Sequence, residues 1–266
     1  MTENLNGTAI LSRLFSLKDR IAVVTGATSG IGQIIASALV QAGAKVYVVA
    51  RKAAHCEKIS RELSALGDCR ALPGDVSTQT GCLAIADGFR RSERQLHVLV
   101  NAAGTTWGAP IEDYPDSAWD KVLAVNLKGV FQLTAALLKE LEAAGTADDP
   151  AKVINIGSVH GFVPPPWESY AYSASKAGVH HLTRHLAKRL GPRHIVVNAI
   201  APGPFQSRMM SAIIEKEGQD LIQETATGRL GRDDDMAGVA IYLASRAGAH
   251  VTGAIIPVDG GYGTTR

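Results

Sequence analysis

The chain has little cysteine, no long hydrophobic run, no block of like charge and no linker-like or low-complexity segment, and each absence removes a class of protein. Its three cysteines, Cys56, Cys69 and Cys82, have no metal-ligand spacing and leave an odd thiol, which argues against a disulfide framework and suits a reducing compartment. No stretch approaches the roughly 20 apolar residues of a membrane helix. Residues 1–20 begin polar and carry only short apolar patches at 9–11 and 14–15, without the apolar core of a secretory leader. The expectation is a cytoplasmic protein with no membrane partner. Lys and Arg number 27 against 25 acids, net +2, and the two signs interleave, so no nucleic-acid surface is expected. A 46% apolar, 20% charged chain of 266 residues has the make-up of an ordinary globule and fits one α/β domain spanning 1–266.

What is present is alternation. Short runs rich in valine and isoleucine at 21–25, 45–50, 69–72, 98–101, 152–156, 195–200 and 254–258 are almost continuously apolar, as in strands covered on both faces. Amphipathic stretches at 31–42, 57–66, 80–91, 117–143, 171–190 and 234–244 separate them. The pattern predicts a Rossmann-type, doubly wound parallel sheet of about seven strands with helices on both faces. Ligands then bind at the carboxyl ends of the strands. Residues 1–16 read as an N-terminal extension, and 205–231, too long for a simple connection, as a substrate lid or loop.

The first strand runs into Thr25-Gly26-Ala27-Thr28-Ser29-Gly30-Ile31-Gly32, which opens a helix. Glycines in such a turn let the backbone approach a pyrophosphate and leave helix N-terminal amides facing it. The spacing Gly-x-x-x-Gly-x-Gly differs from the usual Gly-x-Gly-x-x-Gly fingerprint. Asp75, after the third strand, is placed either to accept a hydrogen bond from an adenine amino group or to start the following helix. The second strand ends in Ala50-Arg51-Lys52 with no carboxylate for a ribose 2′-hydroxyl. Arg51 and, to a lesser degree, Lys52 suit a 2′-phosphate, so NADP(H) is expected over NAD.

Tyr172 and Lys176 lie four residues apart on the 171–190 segment, on one helix face. A phenol titrates near 10, and bringing it towards 7 takes roughly 4 kcal/mol. A cation about 4 Å away at an effective dielectric of about 20 supplies an energy of that order. The spacing therefore predicts that Lys176 makes Tyr172 an acid near neutrality. Tyr170 is a rival by type, but its i+4 neighbour is Ala174.

Together the glycine turn, Asn101-Ala102-Ala103-Gly104, Asn126, Ser158, Tyr172 with Lys176, and Pro202-Gly203 resemble the short-chain dehydrogenase/reductase family from about residue 16 to 261. The resemblance implies that Tyr172 gives a proton in reduction and takes one in oxidation, and that Lys176 also bonds the nicotinamide ribose. It implies further that Ser158 donates to the substrate oxygen and that Asn126 holds a water linking Lys176 to solvent. Cofactor contacts fall on Gly26, Thr28, Ser29, Gly30, Ile31, Asp75, Val76, Asn101, Ala102, Gly104, Pro202, Gly203 and Phe205. Two positions depart from the family pattern: Ala102 replaces an asparagine, and Ser207 must supply the hydroxyl usually offered by a threonine after Pro-Gly. The segments 104–109, 153–158 and 201–209 are most similar to members that reduce 3-oxoacyl thioesters with NADPH. The implied substrate is such a thioester or a β-keto ester. An alcohol dehydrogenase acting on a hydroxylated metabolite, steroid or sugar-like compound remains open, as does a silent NADP sensor.

The substrate wall is expected to include Trp107, His160, Trp167, Phe205 and Met209, with Met210 beside them and Pro164 to Pro166 stiffening the approach. His181 and His185 share a helix face, but without a third ligand no metal is expected. The surfaces of 117–143 and 171–190 resemble subunit-contact helices of the family, implying a homotetramer or a dimer.

Overall fold

The structure is a computed structural model that describes residues 7–206 and 211–265. Seven parallel strands are ordered β3-β2-β1-β4-β5-β6-β7. They are β1 (Ile21–Thr25), β2 (Lys45–Val49), β3 (Cys69–Ala71), β4 (Val98–Asn101), β5 (Ala151–Ile156), β6 (Ile195–Pro202) and β7 (Ile255–Val258). Why the apolar runs are continuous is plain in β1 and β4. Val24, Val98 and Val100 face one core layer with Ile35, Leu39 and Met236, while Val23 and Leu99 face the other with Phe89, Leu133 and Leu186. Burying such a side chain fully stabilises the fold by about 1.5–3 kcal/mol, which a polar residue on either face would forfeit.

The helices are α1 (Gly7–Phe15), α2 (Gly30–Gln41), α3 (Ala53–Leu63), α4 (Gln79–Arg90), α5 (Asp116–Leu123), α6 (Gly129–Ala136), α7 (Leu138–Ala144), α8 (Tyr170–Leu190), α9 (Ser211–Gln223) and α10 (Asp233–Ala244). The stretch expected as one helix over 117–143 is thus three. A π-turn, Ala124–Lys128, joins α5 to α6 through a Gly129 amide bonded to the Ala124 carbonyl, and the chain breaks again at Leu137. Part of the N-terminal extension is α1, and part of the expected loop at 205–231 is α9. The order in which strands are added to the sheet reverses between β1 and β4, which run parallel, and the crevice at their carboxyl ends holds the large cavity.

Candidate active site

A cavity of about 1000 Å³ runs along the carboxyl ends of the strands from Arg51 to Trp167. Its floor is the glycine turn. Gly26 sits at φ +65, and a Cβ there would fall 2.8 Å from the Ala102 carbonyl oxygen, so glycine is required for both conformation and space. Thr25 explains why the two loops meet: its Oγ1 accepts from the amides of Ala102 and Ala103, each at 3.0 Å. Ser29 is the N-cap of α2 yet makes no side-chain capping bond, leaving its hydroxyl and the first-turn amides for an anion. Thr28, Gly30 and Ile31 complete this floor.

At the far end Arg51 and Lys52 line the cavity, joined by His55 from the first turn of α3. His55 was not expected from sequence. Asp75 and Val76 line the middle, but the Asp75 carboxylate already accepts from the Ser77 amide at 2.9 Å, so it shapes its own turn as well as facing the cavity. Pro202 and Gly203 close the opposite side. A Cβ on Gly203 would lie 2.6 Å from the Cα of Asp259, which lets β6 approach the C-terminal segment.

Ser158, Tyr172 and Lys176 converge at the near end. Ser158 caps a short 3-10 turn, its Oγ accepting from the His160 amide at 3.1 Å. The capping role and the chemical one coexist, because an accepting hydroxyl keeps its own proton to donate. Lys176 is 5% exposed, donates to the Ile156 carbonyl oxygen at 2.7 Å, and stands 5.6 Å from the centre of the Tyr172 ring. A Cβ on Gly104 would lie 3.7 Å from Asn126 Oδ1 and 3.9 Å from Lys176 Nζ, so the small residue keeps space open beside the ammonium. Tyr170 instead donates to Glu168 at 3.0 Å and packs on Tyr114.

The electrostatics depart from expectation. Burial pushes the Tyr172 phenol above its ordinary value, only partly offset by Ser158, and pushes Lys176 down to about 8. Both groups favour their neutral forms because neither faces a counter-ion and the cation lies over the ring. In this structure Lys176 therefore does not bring Tyr172 towards neutrality. The raised value keeps the phenol protonated, the form a proton donor needs. His160 and His180 are likewise pushed down to about 4 by burial and stay neutral.

Several expected contacts fall elsewhere. Asn101 does not line the cavity; its amide donates to Asn155 at 2.9 Å and Thr134 at 3.3 Å, tying β4 to β5 and α6. The Asn126 side chain, 1% exposed, bonds the Thr105 backbone in both directions and gives its second amide hydrogen to Ser175 Oγ at 3.0 Å, so only a lone pair of Oδ1 is left to face the space beside Gly104. Trp107 lies outside the cavity, 40% exposed under the Lys121 ammonium. The Phe205 ring reaches the cavity edge but packs into the space above Gly231, anchoring the lid segment. His160 and Trp167 do line the wall, edge to face at 5.4 Å. Ser207, Met209 and Met210 lie outside the described residues.

Comparison with known proteins fits this geometry. A family model described as enoyl-(acyl carrier protein) reductase matches residues 26–263. The rhamnolipids biosynthesis 3-oxoacyl-[acyl-carrier-protein] reductase of Pseudomonas aeruginosa is 47% identical over 251 residues, covering 93% of this chain and 98% of its own. The chain belongs to the short-chain dehydrogenase/reductase family. A solved Pseudomonas aeruginosa RhlG/NADP active-site complex superposes with TM-score 0.91 at 46% identity, covering 94% of this chain and 99% of the other. Galactitol 2-dehydrogenase (L-tagatose-forming) of Cereibacter sphaeroides is 35% identical, covering 94% and 97%. Among short-chain dehydrogenase/reductase members the chemistry is oxidoreduction at a carbonyl or alcohol carbon, and this chain is such an oxidoreductase.

Sequence reasoning missed Tyr262, whose ring lies 6.1 Å from His160 and lines the same wall of this short-chain dehydrogenase/reductase cavity. Only the return of the C-terminal segment after β7 brings it there. Leu221 of α9 and Leu230 pack against Tyr262, Val159 and Trp167, so the segment 211–231 rests on the aromatic wall.

Proposed function

We propose that this chain is an NADP(H)-dependent reductase that converts a ketone, a 3-oxoacyl thioester or β-keto ester, to a secondary alcohol. One observation carries the reading: a single cavity has Arg51 at one end and Ser158, Tyr172 and Lys176 at the other, with the anion-ready start of α2 between them. The residues fit a dinucleotide. The amides of Gly30 and Ile31 with the Ser29 hydroxyl would hold the pyrophosphate, and Arg51, Lys52 and His55 a 2′-phosphate. Lys176 has two ammonium hydrogens left for ribose hydroxyls beyond the one given to Ile156. When bound, the nicotinamide supplies the hydride.

The chain's own part is proton transfer and charge stabilisation. Ser158, whose hydroxyl bonds the Tyr172 phenol in this structure, turns its proton to the ketone oxygen, where negative charge develops. Tyr172, held protonated by burial, gives that oxygen its proton. The Lys176 cation beside it favours the tyrosinate left behind. The reverse reaction on an alcohol uses the same atoms with Tyr172 as base. His160, Trp167 and Tyr262 form the wall against which the acyl portion lies. The similarity to the 3-oxoacyl reductase supports this substrate class over a polyol. NADPH oxidation measured over a panel of β-keto esters, 3-oxoacyl thioesters and ketosugars tests it: faster turnover of the acyl substrates is expected, and turnover of ketosugars alone contradicts it.

The three cysteines are free and buried, and no single helix among the described residues is long and apolar enough to cross a membrane. Both features accord with a cytoplasmic enzyme of small molecules. Phe131 on α6 and Phe162 near α8, 51% and 44% exposed, are large apolar side chains that subunit contacts would cover, which supports a homotetramer. Sedimentation at micromolar concentration should find four chains, and a monomer contradicts the assembly.

A further inference from the structure

A second cavity, of about 130 Å³, opens at the opposite end of the sheet, where β1 and β5 begin. Its charge is one-sided. Arg13 from the last turn of α1, Arg20, Lys152 and Arg246 line it, against the single carboxylate of Asp149. That carboxylate is already spent: one oxygen takes Arg20, the other Lys152 Nζ at 3.1 Å. Arg246 bonds only the Asp148 carbonyl oxygen, at 3.1 Å, and Arg13 has no carboxylate partner among the described residues. Two guanidinium groups thus face the cavity without a counter-ion.

Lys152 makes this a built site. Its side chain is 3% exposed, and its ammonium gives one hydrogen to Asp149 and one to the Pro150 carbonyl oxygen, leaving a third. Burial pushes it below its ordinary value, Asp149 opposes that shift, and the charges of Arg20 and Arg246 add to it to a smaller degree. His97 adds a donor: Nδ1 accepts from the Ile21 amide at 3.1 Å, which puts the hydrogen of the neutral ring on Nε2. A buried cation is tolerated when a counter-charge completes its shell. The volume is that of roughly four waters, which suits a tetrahedral ion and not a nucleotide.

We propose that this cavity binds a small tetrahedral oxyanion, inorganic phosphate or sulfate, held by Arg13, Arg246 and Lys152, and that the ion clasps α1 to the body of the domain. Six separate segments meet there: α1, the approach to β1, the approach to β4, the end of α7, the start of β5 and the turn after α10. An ion bound only by the folded state raises its stability by mass action.

The test is thermal unfolding with inorganic phosphate at constant ionic strength, on enzyme saturated with NADP so that the Arg51 site is filled. The wild type should show a saturable rise in Tm, half-complete at low-millimolar phosphate. The Arg13→Ala/Arg246→Ala double variant, whose exposed side chains have no carboxylate to orphan, should keep ketone reduction but need at least about tenfold more phosphate. General salting-out stabilisation rises without saturation and is indifferent to these arginines. An equal rise in both proteins, or no saturable rise in the wild type, overturns the proposal.

Discussion

Lys176 holds its charge in a site with no counter-ion, and that single fact sets much of the residue-scale behaviour. With its pKa pushed down to about 8, the ammonium is intact below that pH and lost above it. Ketone reduction should therefore decline as pH rises through about 8. Replacing Lys176 by Arg, which stays protonated, should remove that alkaline limb from whatever activity remains, and a limb that persists unchanged assigns it to another group. Arg51 has a simpler role. Arg51→Asp should weaken NADP on the order of ten- to a hundredfold, the worth of a charge-assisted bond, with NAD little affected. Titration of both cofactors checks this, and equal losses contradict it. Tyr172, Lys176, Ser158 and Arg51 were legible in sequence because their chemistry depends on residue type and short spacings. The position of the lysine over the ring was not, since helical spacing fixes a face but not a side-chain path.

At the scale of elements, the strands were the easiest to read. Residues 21–25 and 98–101 were expected and found as β1 and β4, because burial on both faces keeps each run apolar up to its last residue, Thr25 or Asn101. The π-turn at Ala124–Lys128 was not read from the sequence, since no glycine or proline within those residues marks a break in the helix. It carries Asn126, which ties the loop at Thr105 to α8 through Ser175. The segment 205–231 was expected as a lid or loop without a helix, as α9 depends on packing Leu221 against the distant Tyr262. Its exit is fixed by Asp235, which takes a fork of bonds from Arg229 at 2.6 and 2.9 Å and caps α10 through the Arg232 amide at 2.8 Å. Arg229 holds this carboxyl down at about 2. Asp235→Asn should cost little global stability, about 0.5–1 kcal/mol for so exposed a pair, yet raise the ketone KM by loosening the lid. An unchanged KM would separate Asp235 from the substrate wall.

At the scale of the whole molecule, the described residues include two histidines beside Ser158 that burial keeps neutral, His180 buried and His160 partly buried. Their folded values of about 4 lie below the ordinary 6.5. Between those limits the unfolded chain binds protons that the folded chain refuses, so stability is full above about 6.5 and falls as pH drops towards 4. Denaturant titrations across that window should show the loss, with a shallower slope for His180→Gln; identical slopes would mean His180 is not the group. The central claim is that the cavity is an active site in which Tyr172 delivers the proton. The direct measurement is steady-state NADPH oxidation with a β-keto ester by Tyr172→Phe, alongside NADPH binding by fluorescence. The account predicts turnover reduced on the order of 10²- to 10⁴-fold with cofactor affinity preserved. Full turnover in that variant would contradict it.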